Sequence, residues 1–279
     1  NNNNNNNNNI DQNQENCGAP MKQPKAIVIS GDGINCENET RYGLDVAGFQ
    51  SQECHIAALL ANPNMLDNFS LLVLPGGFSF GDEIASGKVI SIKWMEKLNE
   101  ITAKFVEQGR LVMGICNGFQ MLVQMNLLPE QNNPGEKIVS LLHNEGGRFI
   151  NKWVPMTVPL SAQKGYFASL EKIELPIRHG EGRIRPRAGL EDFVEKHGAL
   201  HYVDDVNGSF KKIAALTNGK GNVLGLMPHP EAFVRFSQHP GWSDRVHRSQ
   251  VAADDDLFEG RGPDGLAILR NACAMASNL

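Results

Sequence analysis

Leu111-Val112-Met113-Gly114-Ile115-Cys116-Asn117-Gly118-Phe119-Gln120 runs from a continuous apolar stretch straight into a Gly-x-Cys-x-Gly turn. A run this short and wholly apolar predicts a strand buried on both faces, and a helix is expected from Gly118 to about Met125. The same pattern recurs upstream. Ala26-Ile27-Val28-Ile29 ends in Ser30-Gly31-Asp32-Gly33 and precedes a helix-like stretch from Glu37 to Ala47. Leu71-Leu72-Val73-Leu74 is stopped by Pro75-Gly76-Gly77, and Cys54-His55-Ile56-Ala57 is a weaker strand candidate. From Ile90 to Gln108, apolar Trp94, Leu98, Ile101 and Phe105 follow helical spacing. Apolar strands alternating with helices predict an α/β fold, an open and mostly parallel twisted sheet flanked by helices, flavodoxin-like. Such sheets bind ligands at the carboxyl ends of their strands, so the loops after Leu74 and Ile115 are the places to look.

Further along, about Lys137 to Ala215 is more polar, with strand candidates such as Trp153 to Val158 and several glycine turns. It reads as extra antiparallel strands of the same domain. Asn222 to Met227 is the last strand candidate and Asp264 to Ala276 a closing helix, with Gln238 to Gly262 a polar surface loop. Residues 1–23 open with an asparagine tract that cannot bury apolar surface, so a disordered leader is expected there and a single domain over 24–279.

Composition narrows the class. A formal net charge of -5 argues against a nucleic-acid or anionic-membrane surface. No apolar stretch approaches the ~20 residues a membrane span needs. Five cysteines without a C-x-x-C pair fit neither a disulfide scaffold nor a zinc site, which points to reduced thiols and a cytoplasmic setting. His55, His197, His201, His239 and His247 lack the spaced partners of a metal site, so no metal is expected.

The Gly114-Ile115-Cys116-Asn117-Gly118 turn is a nucleophile elbow with sulfur in place of hydroxyl. Its glycines allow a sharp turn, and the helix that follows directs its dipole and N–H groups at the sulfur. The Asn117 N–H is placed to bind an oxyanion. A buried structural cysteine at a helix start is the plainer alternative. Met227-Pro228-His229-Pro230-Glu231 supplies a base and its orienter. Two prolines in three residues predict an extended segment, with His229 and Glu231 on one side. Alone, a surface His–Glu pair would be the ordinary reading. Pro75-Gly76-Gly77-Phe78-Ser79-Phe80-Gly81-Asp82 is neither a Walker loop nor G-x-G-x-x-G. It is either a plain strand-ending turn or the source of a second oxyanion donor at Gly77.

With these motifs the chain resembles the class I glutamine amidotransferases over about Lys25 to Leu279, and among them the glutaminase subunits of phosphoribosylformylglycinamidine synthases. The elbow, the Pro-Gly-Gly loop and the His-Pro-Glu segment all match. More discriminating are Gly33-Ile34-Asn35-Cys36-Glu37, Asn144-Glu145-Gly146-Gly147-Arg148-Phe149 and His179-Gly180-Glu181-Gly182-Arg183. Ile34 and Gly146 each stand where Ser is usual, and Ala232 where Arg is common.

The resemblance implies a Cys116–His229–Glu231 triad, oxyanion donors at Gly77 and Asn117, and glutamine contacts from Gly76, Gln120, Arg148 and Phe149. Cys36 is expected outside the chemistry, near the surface that meets a partner, while His143 and His179 are expected in a structural or interface role. It also implies a separate synthetase subunit, and a small accessory subunit, that use the ammonia with ATP and Mg; this chain itself would need no cofactor. The competing readings are a glutaminase of another class I pathway, a docking subunit without activity, and a related cysteine hydrolase or deglycase.

Overall fold

Two stretches decide how the chain is layered: the apolar runs at residues 26–29 and 71–74, whose side chains are fully buried. The computed structural model describes residues 23–31, 33–77, 85–129, 136–244, 247 and 262–279. The asparagine-rich leader, the tip of the glycine loop at 78–84 and most of the late loop lie outside the described residues.

β1 (Lys25–Ser30) leads through α1 (Glu37–Ala47) to β2 (Gln50–His55), α2 (Ile56–Ala61) and β3 (Leu71–Leu74). α3 (Ala85–Glu107), β4 (Leu111–Ile115) and α4 (Asn117–Gln124) follow. Next come β5 (Val139–His143), β6 (Ile150–Thr157), β7 (Lys172–His179), β8 (Glu181–Pro186), α5 (Glu191–Lys196) and β9 (Gly198–Tyr202). β10 (Ile213–Thr217), β11 (Val223–Leu226) and α6 (Asp264–Ala276) complete the series.

The main sheet has nine strands in the order β2-β1-β3-β4-β11-β10-β9-β6-β7, and β5 pairs with β8 separately. β2, β1, β3, β4 and β11 run parallel, as the fully apolar runs require. From β11 outward, through β10, β9, β6 and β7, every pairing is antiparallel. The fold is therefore the expected α/β arrangement, an open sheet whose parallel half carries an antiparallel extension on one side.

β3, β4, α1 and α6 begin and end where the sequence predicts. α1 is terminated by Gly48 at φ 112°, whose N–H caps the Leu44 and Asp45 carbonyls. One expectation fails: the strand read at Cys54–Ala57 is β2 at Gln50–His55, and Ile56 already opens α2. β2 is an edge strand, paired with β1 alone, and only Cys54 of its six residues is buried, so it lacks an apolar run. The His55 ring caps α2 by accepting from the Ala57 N–H at 3.2 Å.

Candidate active site

The three motifs read from the sequence leave the carboxyl ends of three neighbouring parallel strands. In register, Leu74 of β3 lies beside Gly114 of β4, and Ile115 of β4 beside Leu226 of β11. The Pro-Gly-Gly loop, the cysteine and the histidine segment, dispersed over 150 residues of sequence, thus emerge together on one edge of the sheet.

Cys116 follows β4 directly, and its N–H donates to the Leu226 carbonyl at 2.8 Å. Its backbone sits at φ 51° and ψ −104°, a conformation that costs a non-glycine residue about 1–3 kcal/mol. The surrounding glycines make it feasible. A Cβ at Gly118 would overlap the Leu74 carbonyl, and one at Gly114 would lie 2.6 Å from the Gly118 carbonyl. The strand–turn–helix elbow is therefore as the sequence predicts, with Cys116 buried and α4 starting at Asn117. Its thiol lies 3.7 Å from the Arg178 carbonyl at the end of β7.

The His229 segment departs from expectation. His229 is extended at φ −105° and ψ 91°, but Pro230–Ala232 is a 3-10 turn rather than extended chain. Proline is compatible with the first turn of a helix because the N–H it lacks would have no partner there. The turn, not strand alternation, brings Glu231 back under the imidazole. His229 Nδ1 donates to Glu231 Oε1 at 2.6 Å, and both side chains are buried, at 4% and 3% exposure. The His229 N–H donates to the Pro176 carbonyl of β7 at 2.9 Å, which locks the segment against the antiparallel extension.

Burial by itself would lower the His229 pKa. The Glu231 carboxylate outweighs it, aided by the adjacent Cys116 and Cys36 thiols, and the net result lies well above the ordinary histidine value. His229 Nε2 and Glu231 Oε2 are buried and make no hydrogen bond of ordinary geometry.

Gly77 forms an isolated bridge with Ile34, whose hydrogen bond runs from the Asn35 N–H to the Gly76 carbonyl at 3.4 Å. Gly77 is at φ 150° and a Cβ there would overlap the Gly33 carbonyl, so only glycine fits between this loop and the one after β1. The Gly76 Cα faces the His229 ring: a Cβ there would stand 3.0 Å from Cε1 and 3.4 Å from Cys36 Sγ. Cys36, expected away from the chemistry, thus has its thiol beside the catalytic-type pair. The sequence carried only the Gly33–Glu37 motif as a signal for it.

Gln120 and the loop that carries Arg148 and Phe149 are tied to the same part of the chain, residues 179–181. Gln120 Nε2 donates to the Glu181 carbonyl at 2.7 Å, tying α4 to the turn between β7 and β8. Asn144 Nδ2 donates to the Arg148 carbonyl at 2.9 Å and to the His179 carbonyl at 2.7 Å, which fastens the 144–149 loop to the same turn. Arg148 and Phe149 are exposed, Phe149 at 54%.

Two buried residues near the thiol were not read as part of the site from sequence. His179 bonds Asn144 Oδ1 through Nδ1 at 2.9 Å, and burial together with the charge of His229 pushes its pKa down to about 4. It is a neutral neighbour of the pair, where the sequence suggested only a structural or interface residue. Tyr202 of β9 has a buried hydroxyl with no hydrogen-bond partner; burial, then the nearby Cys116, raises its pKa. Nothing in a lone tyrosine of a short strand marks it from sequence. Among the described residues one group of side chains has the spacing to hold a metal ion: Cys36, His229 and Glu231.

Comparison with known proteins places the chain among glutamine amidotransferases. The CobB/CobQ-like glutamine amidotransferase domain family matches residues 23–261. The phosphoribosylformylglycinamidine synthase subunit PurQ of Dehalococcoides mccartyi is 34% identical, over 92% of this chain and 99% of that protein. The corresponding subunit of Thermotoga maritima is 39% identical over 76% of this chain and 89% of its own length. The solved structure of PurLQS from Thermotoga maritima contains a similar chain, with a TM-score of 0.63 and 36% identity over 83% of this chain and 99% of that one.

Proposed function

The chain belongs to the CobB/CobQ-like glutamine amidotransferase domain family, and from that membership we propose that it is the glutaminase subunit of a phosphoribosylformylglycinamidine synthase. The observation that carries the chemistry is the buried His229–Glu231 pair, set beside the Cys116 elbow by the pairing of β11 with β4.

Cys116 Sγ attacks the side-chain amide carbon of L-glutamine, its proton having passed to His229. The developing oxyanion is met by the Gly77 and Asn117 N–H groups, which approach from the ends of β3 and β4. Glu231 holds the imidazole through Nδ1, so that Nε2 faces the thiol and the leaving nitrogen. His229 returns the proton to the departing amine, releasing ammonia and leaving a γ-glutamyl thioester on Cys116. Water, deprotonated by His229, then hydrolyses the thioester to glutamate and regenerates the thiol. Gly76, Gln120, Arg148 and Phe149 line the approach and hold the amino-acid end of the substrate.

The ammonia passes to a separate synthetase subunit, which uses ATP and Mg to convert formylglycinamide ribonucleotide to formylglycinamidine ribonucleotide in purine synthesis; a small accessory subunit completes the assembly. The four described cysteines carry free thiols, and no helix among the described residues is long and apolar enough to cross a membrane. Both fit a cytoplasmic enzyme.

The test is glutaminase activity of Cys116→Ala with and without the cognate synthetase. Loss of a nucleophile of this kind costs several orders of magnitude in kcat. Ammonia release at the wild-type rate from this variant would overturn the proposal, as would failure of wild-type chain to react at Cys116 with an electrophilic glutamine analogue.

A further inference from the structure

We propose that Cys36, His229 and Glu231 form a binding site for a divalent cation of the zinc class, and that occupying it shuts off the chemistry at Cys116. Cys36 Sγ, a ring nitrogen of His229 and a carboxylate oxygen of Glu231 all lie within 4.8 Å of one another. His229 and Glu231 are each 3% exposed, and each has a buried atom, Nε2 and Oε2, without a hydrogen bond of ordinary geometry, with the Cys116 and Cys36 thiols beside the imidazole. The loop after β3 packs closely against this group, since a Cβ at Gly76 would stand only 3.0 Å from His229 Cε1 and 3.4 Å from Cys36 Sγ.

The donor set is sulfur, nitrogen and oxygen, the mixture that zinc accepts in tetrahedral sites and that magnesium or calcium does not favour. Zinc bonds of roughly 2.0–2.3 Å place tetrahedral ligands about 3.5 Å apart, so the three side chains need to close by little more than 1 Å. Water or the Cys116 sulfur takes the fourth position.

Binding involves no redox change. The ion forms its bonds to Cys36 Sγ, His229 and Glu231 as the Cys36 thiol proton departs to solvent, accompanied by the proton carried by whichever ring nitrogen becomes the ligand. Either ring nitrogen gives the same consequence. If Nε2 is taken, His229 no longer accepts the Cys116 proton; if Nδ1 is taken, the Glu231 bond that sets the tautomer is lost. The thiol chemistry stops until the ion is removed. The inhibitory consequence rests on the glutaminase reading, whereas the binding site does not.

Cobalt(II) is the probe, because a thiolate ligand gives it a charge-transfer absorption and tetrahedral geometry gives intense visible bands. Full-length Cys116→Ala is expected to bind one equivalent with both features, and zinc to displace it. Cys36→Ala/Cys116→Ala is expected to lose the charge-transfer band while keeping Cys17, Cys54 and Cys273. In parallel, zinc is expected to inhibit wild-type glutaminase reversibly with EDTA. Cys36→Ala, scored against its own metal-free rate, should need at least about tenfold more zinc for the same inhibition. A charge-transfer band that disappears in Cys116→Ala but persists in Cys36→Ala would overturn the site, as would absence of cobalt binding by any variant. If cobalt binds through Cys36 but the wild-type chain shows no glutaminase activity even with its synthetase, the binding site stands and the functional reading fails.

Discussion

In the proposed mechanism Glu231 acts entirely through His229, and two substitutions separate its role from that of the elbow. Glu231→Gln removes the carboxylate that holds the His229 pKa up, so that value moves down. Because ammonia leaves with a proton from His229, the alkaline limb of the kcat profile is expected to shift to lower pH in the variant, read from a pH series of ammonia release. The same charge bears on folding. A histidine raised in the folded state stabilises fully below the unfolded value of about 6.5, and that contribution is lost as pH rises through the raised folded value. Gly118→Ala tests the elbow instead, since its methyl would overlap the Leu74 carbonyl. Overpacking of this kind costs about 1–3 kcal/mol, and the variant should unfold at lower urea with glutaminase activity sharply reduced. The grouping of Cys116 with His229 and Glu231 was legible because the proposed chemistry requires those residue types in those local settings. Cys36 was not, since its approach to His229 depends on the loops after β1 and β3 meeting at Gly76 and Gly77, a tertiary contact that no local pattern records.

Among the elements, β7 reaches furthest into the site while lying at the outer edge of the sheet. It presents the Arg178 carbonyl to the thiol, the Pro176 carbonyl to the His229 N–H, and the neutral His179 ring. A histidine depressed to about 4 when folded binds its proton more readily when unfolded. Its stabilising contribution is present above about pH 6.5 and is lost as pH falls toward 4, a loss on the order of 3 kcal/mol. Chemical unfolding between pH 6.5 and 4.5 should therefore show a steeper decline for wild type than for His179→Asn, which keeps a donor toward Asn144. His229 adds little slope there, because its own window opens above pH 6.5. β3, β4, α1 and α6 could be delimited from sequence because a buried parallel strand or an amphipathic helix writes its burial into hydrophobic order. β2 and the Pro230–Ala232 turn could not: one is a polar edge, and in the other proline reads as a break whether the chain extends or tightens.

At the scale of the molecule, the site exists because β11 lies between β4 and β10, and residues far from the chemistry hold that seam. The buried Tyr166 hydroxyl donates between the carbonyls of Val112 and Asn222, at 3.2 and 3.1 Å, beneath the β4–β11 pair. Tyr166→Phe is expected to cost about 1 kcal/mol in urea unfolding while kcat stays near wild type, because the far ends of the strands carry the triad. The alternation of apolar strands with helices made the parallel half of the sheet readable, but the strand order of the antiparallel extension was not, since neither the mixed strands β6 and β7 nor the short buried strands β9 and β10 name their neighbours. That order also governs how the chain matures. β11 is the last strand among the described residues yet sits near the middle of the sheet, so β1 to β10 are synthesised with a gap where it belongs. Until β11 enters, β4 and β10 each present an open edge of unpaired amides, which is the surface that recruits stray strands and promotes aggregation on a ribosome or in a refolding tube. The insertion that closes those edges is the same event that delivers His229 to Cys116, so a nascent chain becomes catalytically competent only at the moment it ceases to be sticky.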